Sequence, residues 1–396
     1  MAWIGLAGMM VFMALQPYRD EVTLAQALIQ AYSPSRGESA AAEVFAQALQ
    51  ALGYSCRLDD AGNVIGRLGS GEGPVVMLNG HLDTVALGDE ADWPVPPLSG
   101  RVVDGHLWGR GSVDMKASLS GMAFGGADAF NSGVSGTVIV TGVVQEEIGG
   151  LGARYLAERE AADVIIVGEP SGLKLMLGHR GRVELLVEFA GSIAHAARAE
   201  LGDNALYYAA EFLRKLRGLE LPSGGPLGSS SLTPSRLATY PDGANVVPGL
   251  ARLTIDYRNI PGDEPDSVVE RLEALAPGAT ISIPFEDGHS ENGKVKMRFP
   301  RISPSYLVPS DHPQVDLARR LLTAVLEREG RGLEEAYWWF ATDAPYLAAT
   351  GAPVLGFGPG DPELAHTASE NVLVSELQLA RRAYGALVAG LLGGAT

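Results

Sequence analysis

A single cysteine, Cys56, stands in 396 residues, which excludes an intrachain disulfide framework and any cysteine-based zinc knuckle. Basic residues are scarce: Lys and Arg number 30 against 47 Asp and Glu, a formal net charge of −17. That sign repels phosphate backbones and anionic headgroups, so nucleic-acid binding and stable membrane association are excluded as roles. Charged residues make up only 19% and hydrophobic ones 46%, too apolar for a disordered chain and enough to fill a sizeable core. No HExxH is present, which removes the zincin arrangement, and no GxSxG, which removes a serine-hydrolase elbow. The uncharged stretch 2–16 (AWIGLAGMMVFMALQ) falls short of the ~20 residues a spanning helix needs. It also lacks the basic start and small-residue cleavage site of a secretory signal. Residues 1–20 form an N-terminal apolar extension: either translation starts at Met13 or the segment is dispensable, with a packed helix or weak membrane anchor as the alternative. What remains is an acidic cytoplasmic α/β enzyme, long enough for two domains.

Helix and strand patterns alternate from Leu24 to Leu177. Helix signals run over 23–32 and 38–52, the second stopped by Gly53. Apolar runs at 74–79 (PVVMLN), 137–144 (TVIVTGVV) and 163–167 (DVIIV) read as buried strands, with helices near 116–130 and 150–159 between them. Asp104-Gly105 signals a hairpin. From 182 the order becomes strand (182–190), helix (204–217), strands (234–240 and 250–258), helix (264–275) and strand (279–285). That β-α-β-β-α-β order predicts a ferredoxin-like α+β unit. A loop over 286–310 then leads back to helix (313–328), strand (336–340), helix (343–349), strand (353–357) and a closing helix (373–392). The chain thus reads as one α/β domain in two parts, 21–181 and 289–396, interrupted by an inserted lid at 182–288.

Each apolar strand of the first part runs into a residue that can hold a metal. His81 and Asp83 follow the first strand, Glu146 and Glu147 the second, Glu169 the third, and His366 lies beyond the strand at 353–357. The C-terminal ends of parallel strands share one edge, where α/β folds keep their sites. Between them the Gly-rich GRGSVDMK (109–116) presents Asp114 at a helix start. Alone, each element is weak: a Glu-Glu pair usually opens a helix, a Glu-Pro is usually a turn, and an HxD is common. Together, two imidazoles and three carboxylates form a nitrogen-and-oxygen set suited to zinc, cobalt or manganese. Five ligands exceed what one catalytic zinc with an open position takes. They suit two metals bridged by Asp114, with His81 and Glu169 on one and Glu147 and His366 on the other. Glu146 is left as a general base, and Asp83 as the acceptor fixing the His81 tautomer.

The motifs GHLDT (80–84), GRGSVDMK (109–116), QEEIGG (145–150), GEP (168–170) and GFGPGDPELAH (356–366) carry a resemblance over residues 21–393. The sequence resembles the dinuclear-zinc aminoacylase/carboxypeptidase family, which includes acetylornithine deacetylase, succinyl-diaminopimelate desuccinylase and carboxypeptidase G. The resemblance implies a zinc-exopeptidase-like catalytic domain with a mainly parallel sheet, two bound metals on the five ligands above, and Glu146 as base. It implies that His195 in the lid stabilises an oxyanion, reaching across a lid-mediated homodimer as in relatives, and that Arg258 and Asn245 contact substrate. A glutamate at 169 is the pattern of acylases and carboxypeptidases rather than aminopeptidases. The chain departs from the family at 196–201, where Ala-Ala-Arg-Ala-Glu-Leu replaces a small polar residue and a proline.

The expected activity is hydrolysis of the amide of an N-acyl amino acid, in the manner of acetylornithine deacetylase. The alternatives are a hydrolase releasing lysine or ornithine from an acidic amino-group carrier protein, and a dipeptidase or carboxypeptidase acting on a dipeptide. A non-catalytic binding protein of this fold is the distant rival, set back by retention of all five ligands with Glu146.

Overall fold

A computed structural model describes residues 18–69 and 71–393. The apolar stretch 2–16 and the Met13 start lie outside the described residues. The larger sheet runs in the order 55–58, 64–68, 137–143, 75–81, 164–167, 354–356, 175–179, 306–307, with 335–338 also paired to 175–179. Its centre is parallel: Val75–His81 lies between Thr137–Val143 and Val164–Val167, and Val354–Gly356 pairs with the latter. The outer pairings are mostly antiparallel. These central strands are rich in β-branched residues and buried along their length, as strands covered on both faces must be. Helices Ser39–Ala51, Ala117–Asn131, Pro313–Glu327 and Val374–Leu391 supply the core on one face, and Leu151–Ala157 with Ala344–Ala348 the core on the other. Tyr384 shows why the closing helix docks firmly: its ring is fully buried against Phe357 and its hydroxyl donates to the Phe357 carbonyl at 2.7 Å.

The smaller sheet runs in the order 231–240, 250–258, 182–190, 280–282, all antiparallel, with helices Ala205–Leu216 and Pro265–Leu275 on one face. Numbered along the chain, that is strand order 2-3-1-4, the order of a ferredoxin-like unit. Side chains alternate strictly: Val183, Leu185 and Val187 face the helices, while Arg182, Glu184 and Glu188 face away. Ile302–Ser303 continues one edge of this sheet by pairing with Arg182 and Val183.

The segment expected as a plain loop over 286–310 differs. It contains a hairpin, Phe285–His289 with Lys296–Pro300. The reason is local: Ser290 Oγ accepts from the Val295 amide at 3.0 Å and Asn292 Oδ1 from the Lys294 amide at 2.9 Å, closing a tight turn. Strands 55–58, 64–68 and 175–179 were equally unexpected, being short or interrupted by Gly66 and Gly178. Among the described residues, no helix is long and apolar enough to cross a membrane.

Candidate metal centre

His81 ends the 75–81 strand, Glu146 and Glu147 follow the 137–143 strand, and Glu169 follows 164–167, so the parallel register delivers all four to one sheet edge. Asp114 comes from the turn 112–116, where its backbone is extended (φ −120, ψ 91) and the Asp114–Met115 peptide is cis. His366 arrives from the segment after 354–356. Gly358 allows that approach, because a Cβ there would meet the Glu169 carbonyl oxygen at 2.3 Å. Gln145 and His366 both hold left-handed backbone, φ +59 and +65. Each costs on the order of 1 kcal/mol and persists because its surroundings dictate it.

Asp114 sits between the two imidazoles. Its Oδ1 is 2.8 Å from His81 Nε2 and its Oδ2 is 3.3 Å from His366 Nε2. Glu169 Oε1 lies 3.7 Å from the His81 ring nitrogen, and Glu147 Oε1 lies 3.0 Å from that of His366. Donor atoms of His81, Asp114 and Glu147 fall within 4.8 Å of one another, as do those of His81, Glu146 and Glu169.

Asp83 works differently from the sequence expectation. The His81 Nδ1–H donates to the Asp83 backbone carbonyl at 2.9 Å, while the Asp83 carboxylate is 3.5 Å away. That carboxylate accepts instead from the amides of Glu146 (3.1 Å) and Glu147 (3.2 Å), and from Ser35 Oγ at 2.7 Å. It therefore pins the turn that carries the two glutamates.

The electrostatics follow from burial. Desolvation, then the charges of Glu169 and Asp343, push the Glu146 carboxyl well above its usual range. Glu169 is raised likewise, by burial and then Asp114. Burial alone would raise Asp114, but hydrogen bonds from His366 and His81 outweigh it and hold it low. Hydrogen bonds to Asp114 and Glu147 carry His366 up to about 10. Asp343 is 2% exposed, its two carboxylate oxygens have no hydrogen-bond partner among the described residues, and burial pushes it up to about 7. Carboxylates in this number, buried around two imidazoles, carry negative charge that bound protons or metal ions must balance. The donor set fits divalent ions.

Three supporting residues carried no signal in the motifs. Glu370, fully buried, accepts from Arg110 at 2.6 Å and from the Val113 and Asp114 amides at 3.0 and 3.2 Å, fixing the Asp114 turn. Its only sequence hint is standing four residues after His366. Asp343 and Ser35 lie in no metal-ligand spacing, and only the fold brings them in.

A cleft of about 690 Å³ opens over the centre between the two sheets, lined by Glu146, Glu147 and His366 on one side. Arg258 of the smaller sheet lines it as well, with Arg182, Glu184, Phe299 and Phe340. His195 and Asn245 do not line it. Both are exposed, adjacent through the Ala196 amide bond to the Asn245 carbonyl, on an outer strand pair (Ala194–His195 with Val246–Val247).

Comparison with known proteins agrees with this edge-of-sheet geometry. The family model for peptidase family M20/M25/M40 matches residues 77–390. A succinyl-diaminopimelate desuccinylase of Phenylobacterium zucineum is 30% identical, over 93% of this chain and 98% of the relative. A putative [LysW]-lysine/[LysW]-ornithine hydrolase of Aeropyrum pernix is 30% identical, over 91% of this chain and 93% of the relative. In fold, the chain is similar to Bacillus subtilis YxeP, a dinuclear metal-binding peptidase of the M20 family. That match has a TM-score of 0.70 at 15% identity and covers 95% of this chain and 98% of that one. The resemblance first carried by five short motifs therefore extends over nearly the whole chain, which is a hydrolase of peptidase family M20/M25/M40.

Proposed function

We propose that the protein removes the acyl group from an N-acyl amino acid, in the manner of an acetylornithine deacetylase, with two divalent ions, zinc for preference. The observation carrying this reading is the convergence of His81, Asp114, Glu147, Glu169 and His366 around Glu146 at the mouth of one cleft. Ions held there, with Asp114 between them, would supply Lewis acidity and a water of lowered pKa. Glu146 is a free carboxylate beside that position. It takes the proton of the attacking water and returns it to the departing amine nitrogen. Asp83 keeps Glu146 in place through its backbone amide. Arg258 offers a guanidinium to the carboxylate of the amino-acid half.

His195 and Asn245 serve a second copy in this reading. They lie beside Ile193, Leu201 and Tyr207, which are 61%, 65% and 74% exposed, an apolar strip that a homodimer through the 182–288 lid would cover. His195 then reaches the partner's cleft to steady the oxyanion.

One observation favours a second reading, release of lysine or ornithine from an acidic carrier protein. Arg182 and Arg258 line the cleft with one carboxylate, Asp256, between them, a small local positive charge of the kind such a partner needs against a net −17. Release of free amine from N-acetyl amino acids and dipeptides, by metal-stripped, zinc-loaded and cobalt-loaded protein, tests both. Metal-dependent turnover of N-acetylornithine or N-acetyl-lysine supports the deacylase. Turnover of dipeptides alone moves the protein to the peptidases. No turnover with two metals bound favours the carrier-linked substrate.

A further inference from the structure

The cleft face of the smaller sheet ends in a cross-strand juxtaposition that folding alone does not favour. Arg182 begins one strand and Arg258 ends its antiparallel neighbour, one register step past the Tyr257 and Val183 pair. Like charges in directly opposed positions destabilise a sheet. Among the described residues, the only carboxylate that pairs with them is Asp256, which accepts from Arg258 Nε at 2.6 Å and from Arg182 Nε at 2.8 Å. One carboxylate cannot neutralise two guanidinium groups. A third cation stands behind them: Arg180 has no carboxylate partner among the described residues and donates to Ser229 O and Ser231 Oγ, Ser231 being the cross-strand partner of Arg258.

Two other arginines that meet this face are paired, while Arg236, across from Thr254, has no carboxylate partner among the described residues but does not line the cleft. Arg252 meets Glu188 at 2.6 Å, and Arg301 meets Glu184 at 2.9 Å and Glu286 at 2.8 Å. Within the cleft, excess positive charge thus falls at the corner where Arg182 and Arg258 line it, since Arg36 and Arg301 meet Glu286 and Glu184. Arg182 is 53% exposed in its side chain and Arg258 28%, so their unused N–H groups remain open to a ligand.

We propose that Arg182 is a substrate-binding residue, which forms with Arg258 a two-arginine receptor for the free carboxylate of the substrate's amino-acid half and sets the enzyme's selectivity for it. The inference rests on the reading that the substrate is an N-acyl amino acid. Asp256 ties down one edge of each guanidinium and so holds their remaining donors towards one point. A carboxylate there accepts from two arginines and relieves their repulsion. A C-terminal amide or ester offers no charge and gains neither.

The test compares N-acetyl amino acids with their C-terminal amides. In zinc-loaded enzyme, Arg182→Ala raises KM for the acids about ten- to hundredfold, the loss of a charged hydrogen bond, and leaves kcat within about twofold. The amides change little, so the preference for acid over amide collapses. Arg182→Lys restores part of it, and Arg182→Gln replaces the alanine variant should that one unfold. An unchanged preference in Arg182→Ala overturns the proposal. Calorimetric binding of the same acids and amides to Glu146→Gln protein, with and without Arg182→Ala, gives an answer free of turnover. Acid-selective binding that vanishes with Arg182 upholds the receptor even if nothing is hydrolysed, in which case the deacylase reading alone falls. Equal binding of acids and amides to the Arg182 protein overturns the receptor.

Discussion

At the C-terminal edge of the larger sheet, Asp83, Asp114, Glu146, Glu147, Glu169 and Asp343 gather around His81 and His366, and none of these carboxylates pairs with an arginine or lysine among the described residues. On the outward face of the smaller sheet, Glu184, Glu188 and Asp256 each meet an arginine within 2.9 Å. The first arrangement is buried and unbalanced, the second partly solvated and nearly balanced. Water can settle the second, but it reaches the first poorly. Buried carboxylates left without counter-charge are therefore the better marker of chemistry, while paired ones mark a sheet face kept in solution. The same comparison isolates Arg182 and Arg258, the place in the cleft where two arginines share a single carboxylate.

The sharpest way to break the contrast is at Glu146. Glu146→Gln keeps the shape and hydrogen-bonding capacity but cannot accept the proton, so kcat falls about 10²- to 10⁴-fold. Metal content by elemental analysis stays at the wild-type level, because His81, Asp114, Glu147, Glu169 and His366 are untouched. Retained turnover would move the base elsewhere. The next largest effect is structural. Glu370→Ala strips Arg110 of its partner in a site where the two side chains are 4% and 1% exposed. Breaking a buried pair from one side costs ~3–5 kcal/mol, readable in denaturant unfolding. It also frees the Val113 and Asp114 amides, so metal affinity falls with stability. A variant that unfolds normally and holds metal would show that the Asp114 turn stands without Glu370.

Much of this was legible beforehand because it is local. The strands 75–81, 137–143 and 164–167 announce themselves as β-branched runs, and their ends carry His81, Glu147 and Glu169 in order. The β-α-β-β-α-β order of 182–285 gave the smaller sheet for the same reason. The hairpin 285–300 does carry a local signal, Asn292-Gly293 with Gly293 at φ +71, but it stands among the polar residues 286–294, which read as a loop. Asp83 was legible as a helper but not in its actual task, since its carboxylate reaches amides 63 and 64 residues away. Glu370 and Asp343 escaped for the deeper reason that burial is a property of the fold, the first against Arg110 and the second without a hydrogen-bond partner among the described residues, and no spacing encodes either.

Metal affinity offers a smaller but cleaner effect. Hydrogen bonds to Asp114 and then Glu147 hold His366 up to about 10, so in metal-free protein the ring keeps its proton at neutral pH. A metal must expel that proton to bind. Because the raised imidazole is protonated at every pH below about 10, affinity rises with pH across the neutral range, about tenfold per unit for each proton released. Calorimetry of zinc binding in buffers of different ionisation heat counts the protons directly. A count of zero would mean that His366 is already neutral in the metal-free protein, and that its hydrogen bonds to Asp114 and Glu147 do not hold a proton there.

The smallest effect belongs to the balanced face and serves as its control. Arg252 stands directly across from Glu188 in register, touches it at 2.6 Å, and lies 5.2 Å over the Tyr240 ring, with 40% of its side chain exposed. Such a pair gains little, because water competes for both charges and holding two long side chains costs entropy. Arg252→Ala should cost less than about 1 kcal/mol in denaturant unfolding, and it leaves KM and kcat alone because Arg252 is absent from the cleft lining. A KM effect matching that of Arg182→Ala would mean that the whole charged face steers substrate at long range, and the distinction between the paired arginines and the Arg182–Arg258 corner would dissolve.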